Sequence, residues 1–402
     1  MAELPLAATV GVPHPVGDLS GRRLDPQVPV YLFSGRNLIE DPTGIVPFGN
    51  QRSDDLQPHV GIARVAIGEG LSSEELLRRT TSDIPKRKRP RVELKRIDHL
   101  PRPGTIDPRL LGQQSIDFTG HPWISAIRHQ LDQSKRRHIY LFVHGYNTHL
   151  ITNTEMAAEM YHRSGRDGAV IAFEWPSLGK LIGYIHDKGN ATASTRHFRS
   201  LLVNLARQTD PDGISILAHS AGNPIVANAL REIRLIDDEL NSEELQEKYR
   251  IHRVIMAAPD MDVMEFLNCV LDGFYLTSGG VAVYASPEDK ALQASAFLFQ
   301  NKRLGQAVGQ LSPVETEVLR LADRIELIDV GYPESFLGDF LGHGYFLRNP
   351  WVSSDLGLFL FGRPPEERGL VRSSDGVFWH FPADYPDRLT ALGSGASEIS
   401  GE

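Results

Sequence analysis

The sequence predicts an α/β protein. Its expected architecture is a mostly parallel central sheet with helices on both faces, extended by extra strands from the N-terminal part. Three observations lead there. Several short runs are apolar almost throughout, without the polar alternation of a half-solvated strand. Helix-like segments separate most of them. Each run ends at a loop bearing small, acidic or histidine residues, as expected where a buried strand opens onto a cleft.

The elements follow in chain order. Residues 1–25 are rich in Pro and Gly and are expected to be a disordered N-terminal segment. Residues 26–135 form an N-terminal extension, read as short strands added antiparallel to one sheet edge, with helical pieces near 72–79 and 124–132. Its basic run, Lys86-Arg87-Lys88-Arg89-Pro90-Arg91, reads as a solvated loop between strands in an acidic protein. Residues 136–362 form the core. Its strand runs are 136–143, 169–176, 214–218, 253–256, 281–284 and 325–328, and a helix follows over 225–236. Residues 363–402, with Pro364-Pro365 and a Gly/Ser-rich end, read as a loosely held tail. Within it, Trp379, Phe381 and Tyr385 are expected to pack back.

The most informative junction is Ile214 to Pro224. An apolar run stops at Ala218-His219-Ser220-Ala221-Gly222, and a helix begins. Small residues two positions either side of a serine are what a sharp strand-to-helix turn requires, because bulkier ones would collide with neighbouring strands. Ala218 stands where a glycine is usual. Upstream, the run ending at Val143 leads into His144-Gly145-Tyr146, a turn whose glycine lets backbone approach a ligand. One oxyanion-stabilising N–H is expected from this Gly145–Tyr146 turn and another from Ala221. In the chain order serine, acid, histidine, the second strand beyond the serine ends near Asp289 and the third is followed by His343. Asp260 and Asp262, after the first strand, are rival acids, with Asp260 the stronger alternative.

The segments HGYN, FEWPS, AHSAGN, AAPDMD, YASPEDKAL and GHGYF, in this order, resemble the bacterial α/β-hydrolase family of unknown function DUF900. The resemblance covers roughly residues 25–360, most densely 136–346. It implies an α/β-hydrolase fold and a Ser-Asp-His triad, carried here onto Ser220, Asp289 and His343. It implies no substrate. Ala218, and Ala221 where a bulkier residue often stands, depart from the pattern without removing a catalytic group.

Composition agrees. The 402 residues are 41% hydrophobic and 23% charged, enough for a full core. A net charge of −9 argues against nucleic acid as a partner. The single cysteine, Cys269, forms no internal disulfide and fits a reducing compartment; it reads as apolar filler. No basic segment with a long apolar core begins the chain, and no apolar run is long enough for a membrane span. The cytoplasm is therefore the expected location. Neither a metal nor another cofactor is expected, because no ligand-spaced Cys/His cluster and no phosphate loop is present.

The chemistry expected is acyl transfer to Ser220, with His343 as base and Asp289 orienting it, on a small-molecule acyl substrate. His144 is expected to shape the oxyanion turn and His219 to point away from the cleft. Residues 175–195 are the expected cover, with His144, Trp175 and Tyr184 as candidate substrate contacts. Two function classes follow. One is a serine hydrolase of ester-like bonds, resembling a carboxylesterase or lipase. The other is a catalytically silent member of the fold used for binding or as a scaffold.

Overall fold

In the computed structural model, the described residues are 1, 7, 19, 21–41, 43–54, 57–81, 86–104, 116–178, 183–331 and 343–399; of 81, 86, 184, 185 and 393–399 only the backbone is described. The strands are β1 (Gln27–Ser34), β2 (Arg36–Leu38), β3 (Phe48–Arg52), β4 (His59–Ile67), β5 (Val92–His99), β6 (His138–Val143) and β7 (Ala169–Glu174). They continue with β8 (Gly213–His219), β9 (Ile251–Ala257), β10 (Val281–Ala285), β11 (Ile325–Asp329), β12 (Val371–Arg372) and β13 (Phe378–His380). Eleven of them form one sheet in the order β12-β13-β11-β10-β9-β8-β6-β7-β1-β4-β5, while β2 and β3 pair separately.

The central strands are buried over nearly their whole length, which is why their sequences carry no polar alternation. Alternate residues feed two cores. Ile139, Leu141 and Val143 of β6 face one layer, with Trp123 and Ile127 of helix Pro122–Asp132, Phe198 and Leu201 of helix Tyr184–Thr209, and Ile225 and Leu230 of helix Asn223–Ile236. Tyr140 and Phe142 face the other, with Ala157 and Met160 of helix Leu150–Arg163 and Val352 and Leu358 of helix Pro350–Leu360. This is the α/β-hydrolase architecture.

Two expectations change. The first strand of the N-terminal extension does not add antiparallel to an edge: β1 runs parallel to β7, and only β4 and β5 continue antiparallel beyond it. Its apolar run Val28-Pro29-Val30-Tyr31-Leu32-Phe33 can bury both faces, so it serves as an interior strand. At the opposite edge the expected loose tail supplies β13, parallel to β11, and Tyr385 is fully buried against Trp351. The expected disordered segment 1–25 falls mainly outside the described residues, although Leu19 and Leu24 are buried. Arg87 and Lys88 of the basic run are exposed. No helix among the described residues is long and apolar enough to cross a membrane.

The strand order locates a cleft. From β6 the chain moves outward to β7, then returns to place β8 on the other side of β6. Such a reversal leaves a crevice at the carboxyl ends of the two strands, where ligands bind in open α/β sheets. Val143 ends β6 and His219 ends β8.

Candidate active site

Ser220 occupies the reversal. Its backbone is left-handed, φ 51°, a conformation a non-glycine residue adopts only where the surroundings enforce it. The enforcement is visible. The Asn223 side chain donates to the Ser220 carbonyl at 2.9 Å and to the Ala257 carbonyl at 3.2 Å, tying the turn to β9. The Asp260 N–H also donates to the Ser220 carbonyl, at 3.2 Å. A Cβ on Gly222 would lie 2.5 Å from the His144 carbonyl oxygen, so position 222 admits only glycine. A Cβ on Gly145 would lie 2.7 Å from the Ser220 Cβ. The turn after β6 therefore lies directly against the serine.

That turn is held from beneath. His144 is wholly buried, its ring stacked on Trp175 at 4.9 Å between centroids. Its Nδ1 is 2.8 Å from the Gly145 carbonyl, and its Nε2 is 3.1 Å from the Trp175 carbonyl. The Trp175 indole donates to the His144 carbonyl at 2.7 Å. Burial, and next the Arg36 guanidinium, push the His144 ring well below the ordinary histidine range. Trp175 is fully buried too, so the expected substrate contacts at His144 and Trp175 are corrected: both support the turn and neither is open to the cleft. The Tyr184 side chain, with Leu181 and Ile182 of the expected cover, lies outside the described residues.

Asp289 and His343 come together. The His343 Nδ1 is 2.7 Å from Asp289 Oδ2, with the acid fully buried and the imidazole partly open. A carboxylate only accepts, so Nδ1 carries the proton and Nε2 is left as an acceptor. Asp289 is fixed as the N-cap of helix Lys290–Phe299, its Oδ1 accepting from Leu292 N–H at 3.0 Å. The His343 segment is anchored by its successors. The Tyr345 hydroxyl donates to the Tyr284 carbonyl at 2.7 Å and accepts from Ala258 N–H at 3.1 Å, while Phe346 is buried against the His219 ring. His219, adjacent to Ser220 in the chain, donates from Nε2 to the His343 carbonyl at 3.1 Å, the two rings 4.8 Å apart. Burial, and then the facing His343, lower the His219 ring to about 3, so it stays neutral. No hydrogen bond joins the Ser220 hydroxyl itself to His343. The rival acid is committed elsewhere: Asp260 accepts from the Ser295 hydroxyl at 2.7 Å and faces the buried Arg303 at 3.4 Å. Asp262 caps helix Val263–Leu271.

Sequence reasoning missed Arg36, Glu174 and Asn223. Arg36 is fully buried and donates to the carbonyls of Ser177 at 3.1 Å and Thr148 at 3.2 Å, while its Nη2 lies 3.3 Å from His144 Nε2. It faces Glu174 at 3.4 Å. A charged residue on either side of an apolar strand end was the only available signal. Cys269 is buried, and burial pushes its thiol up to about 12, far from a reactive state. Among the described residues no group of three or more His, Cys, Asp or Glu side chains is placed to hold a metal ion.

A family described as α/β hydrolase of unknown function (DUF900) matches residues 123–358. An uncharacterized protein of Nostoc sp. is 29% identical over 174 residues, 37% of this chain and 45% of that protein, so the chain spans less than half of that curated relative's length. Among solved structures, esterase B of Lactobacillus rhamnosis is 12% identical with a TM-score of 0.33, covering 66% of this chain and 80% of that one. A thermophilic esterase of Thermogutta terrifontis is 14% identical with a TM-score of 0.32, covering 57% and 81%.

Proposed function

The chain belongs to the α/β-hydrolase family of unknown function DUF900, and from that premise we propose that it is a serine hydrolase of ester-like acyl bonds. The observation that carries the reading is the 2.7 Å His343–Asp289 pair, brought beside the strained Ser220 turn by the His219 link. Ser220 Oγ attacks the acyl carbon while His343 Nε2 takes its proton. The imidazolium formed is stabilised by Asp289. Nδ1 stays protonated throughout, which keeps Nε2 correctly disposed. The N–H groups of Ala221 and of the Gly145–Tyr146 turn donate to the oxyanion, each such donor being worth about 3 kcal/mol in the transition state. The alcohol leaves with the proton from Nε2, and a water molecule activated by the same nitrogen hydrolyses the acyl-enzyme. In unliganded hydrolases the serine–histidine bond often tightens only when substrate arrives, which accommodates its absence here.

A fluorophosphonate probe tests the proposal. The wild-type chain is expected to be labelled and Ser220→Ala is not. Absence of labelling in folded wild-type protein would favour the second reading, a silent fold member that binds a partner. The unmade Ser220–His343 bond is the observation that reading would rest on.

A further inference from the structure

Around the elbow two cations converge on one aromatic ring. The segment carrying Arg303 runs beside the loop after β9: Val263 N–H donates to the Lys302 carbonyl at 3.1 Å, Leu304 N–H to Met261 at 2.8 Å and Gly305 N–H to Pro259 at 3.0 Å. This brings the Arg303 guanidinium to Asp260, whose own N–H holds the Ser220 carbonyl. Arg303 is only 1% exposed, yet its Nη2 has no hydrogen-bond partner among the described residues. Lys188 enters from helix Tyr184–Thr209, which packs against the elbow. Its Nζ lies 4.0 Å from the centre of the Phe299 ring, and the Arg303 Cζ lies 4.8 Å from the same ring.

The Lys188 ammonium has no carboxylate and no hydrogen-bond acceptor among the described residues. Three acids stand near enough to feel it: Asp260, Glu265 and Asp262. Each is engaged. Asp260 holds Arg303 and Ser295, Glu265 accepts from Asn228 at 2.9 Å, and Asp262 caps its helix. A half-buried cation that faces only an aromatic ring is still costly unless something negative joins it. Here two cations share one fully committed acid, beside the serine.

We propose that Lys188 and Arg303 form a subsite for a carboxylate on the bound substrate, so that the preferred ester is an anionic one such as a dicarboxylic half-ester. The inference rests on the esterase reading for its location and on the unpartnered donors for its charge. The carboxylate would accept from the Lys188 ammonium and from Arg303 Nη2 while the ester carbonyl lies at Ser220.

Ethyl butyrate and monoethyl succinate test it, since their four-carbon acyl groups differ in ending in a methyl or a carboxylate. Wild-type kcat/KM, read as ethanol release, is expected to favour the half-ester about tenfold or more, the scale of one charge-assisted hydrogen bond. Lys188→Gln is expected to erase that ratio and Lys188→Arg to retain much of it. Calorimetric titration with succinate gives a readout without turnover: wild type and Ser220→Ala are expected to bind it, and Lys188→Gln about tenfold more weakly. No preference for the half-ester, or succinate affinity that Lys188→Gln leaves unchanged, overturns the inference. Succinate held through Lys188 in a chain that neither cleaves esters nor reacts with fluorophosphonate would uphold the anion site while the esterase reading falls.

Discussion

Two of the histidine–carboxylate pairs among the described residues flank the candidate site, and their surroundings give them opposite character. His343 meets Asp289 at 2.7 Å through Nδ1, is partly open, and keeps Nε2 available. His144 meets Glu174 at 3.8 Å, both buried, with each ring nitrogen already engaged by protein atoms. A third group makes the difference. Arg36 faces Glu174 and His144 together, so the acid's attraction is drawn to the guanidinium and a proton on the imidazole is repelled. Residue types alone do not separate an accessible imidazole from a sealed strut; burial and the next charge do.

The sharpest way to break the comparison is at the acids. Asp289→Asn is expected to lower kcat for ester hydrolysis about 10⁴-fold, because an amide lets Nδ1 act as acceptor and presents the wrong tautomer at Nε2. Asp260→Asn is expected to leave kcat within about tenfold but to lower Tm, since it leaves the Arg303 charge buried and poorly paired. Rates on ethyl butyrate with thermal unfolding of the same samples give both numbers. The reverse pattern would make Asp260 the orienting acid.

Much of this contrast was legible in the sequence, and the unread part has a physical cause. Strand runs at 169–176, 281–284 and 325–328 match observed strands within a few residues, because buried parallel strands leave an uninterrupted apolar signature. Ser220 and Asp289 became candidates because each comes just after such a run, and His343 because it is the first histidine beyond β11. Arg36 and Glu174 were not readable. They meet only because β1 lies beside β7, a pairing between segments about 140 residues apart that no local pattern encodes. The same pairing explains the misplaced edge: Val28 to Phe33 looks the same whether the strand ends a sheet or continues it. His219 shows a third limit. Its position beside the serine was plain, but its bond to the His343 carbonyl depends on a loop 124 residues away.

Stability should divide the two pairs as activity does. Arg36→Met is expected to cost about 3 kcal/mol, because it removes the buried guanidinium that faces Glu174 and leaves the Ser177 and Thr148 carbonyls without their donor. His343→Gln is expected to cost less than about 1 kcal/mol, its side chain being partly solvated. Urea unfolding midpoints measure both. A small loss for Arg36→Met would show that the turn under Ser220 is held by the Trp175–His144 stack without the guanidinium.

The last expected effect concerns pH. Burial pushes the Glu174 carboxyl up to about 7, while Arg36, Asn153 and Thr154 pull it the other way. In the unfolded chain a glutamate ionises near 4.3. Between roughly pH 4.3 and 7 the folded chain therefore holds a proton that the unfolded chain has released. Stability from this group is whole below that window and is lost as pH rises through it. Buried histidines such as His138, His144 and His219 contribute the opposite slope, since burial lowers their folded values, but they are common to wild type and variant. Glu174→Gln removes only the carboxyl contribution. The stability of Glu174→Gln relative to wild type should thus climb between about pH 4.3 and 7 and be level on either side, read from urea midpoints at four or five pH values. A level difference across the whole range would mean that Arg36 keeps Glu174 ionised. The strut would then be a true ion pair, and its contrast with the Asp289–His343 pair would lie in solvent access alone.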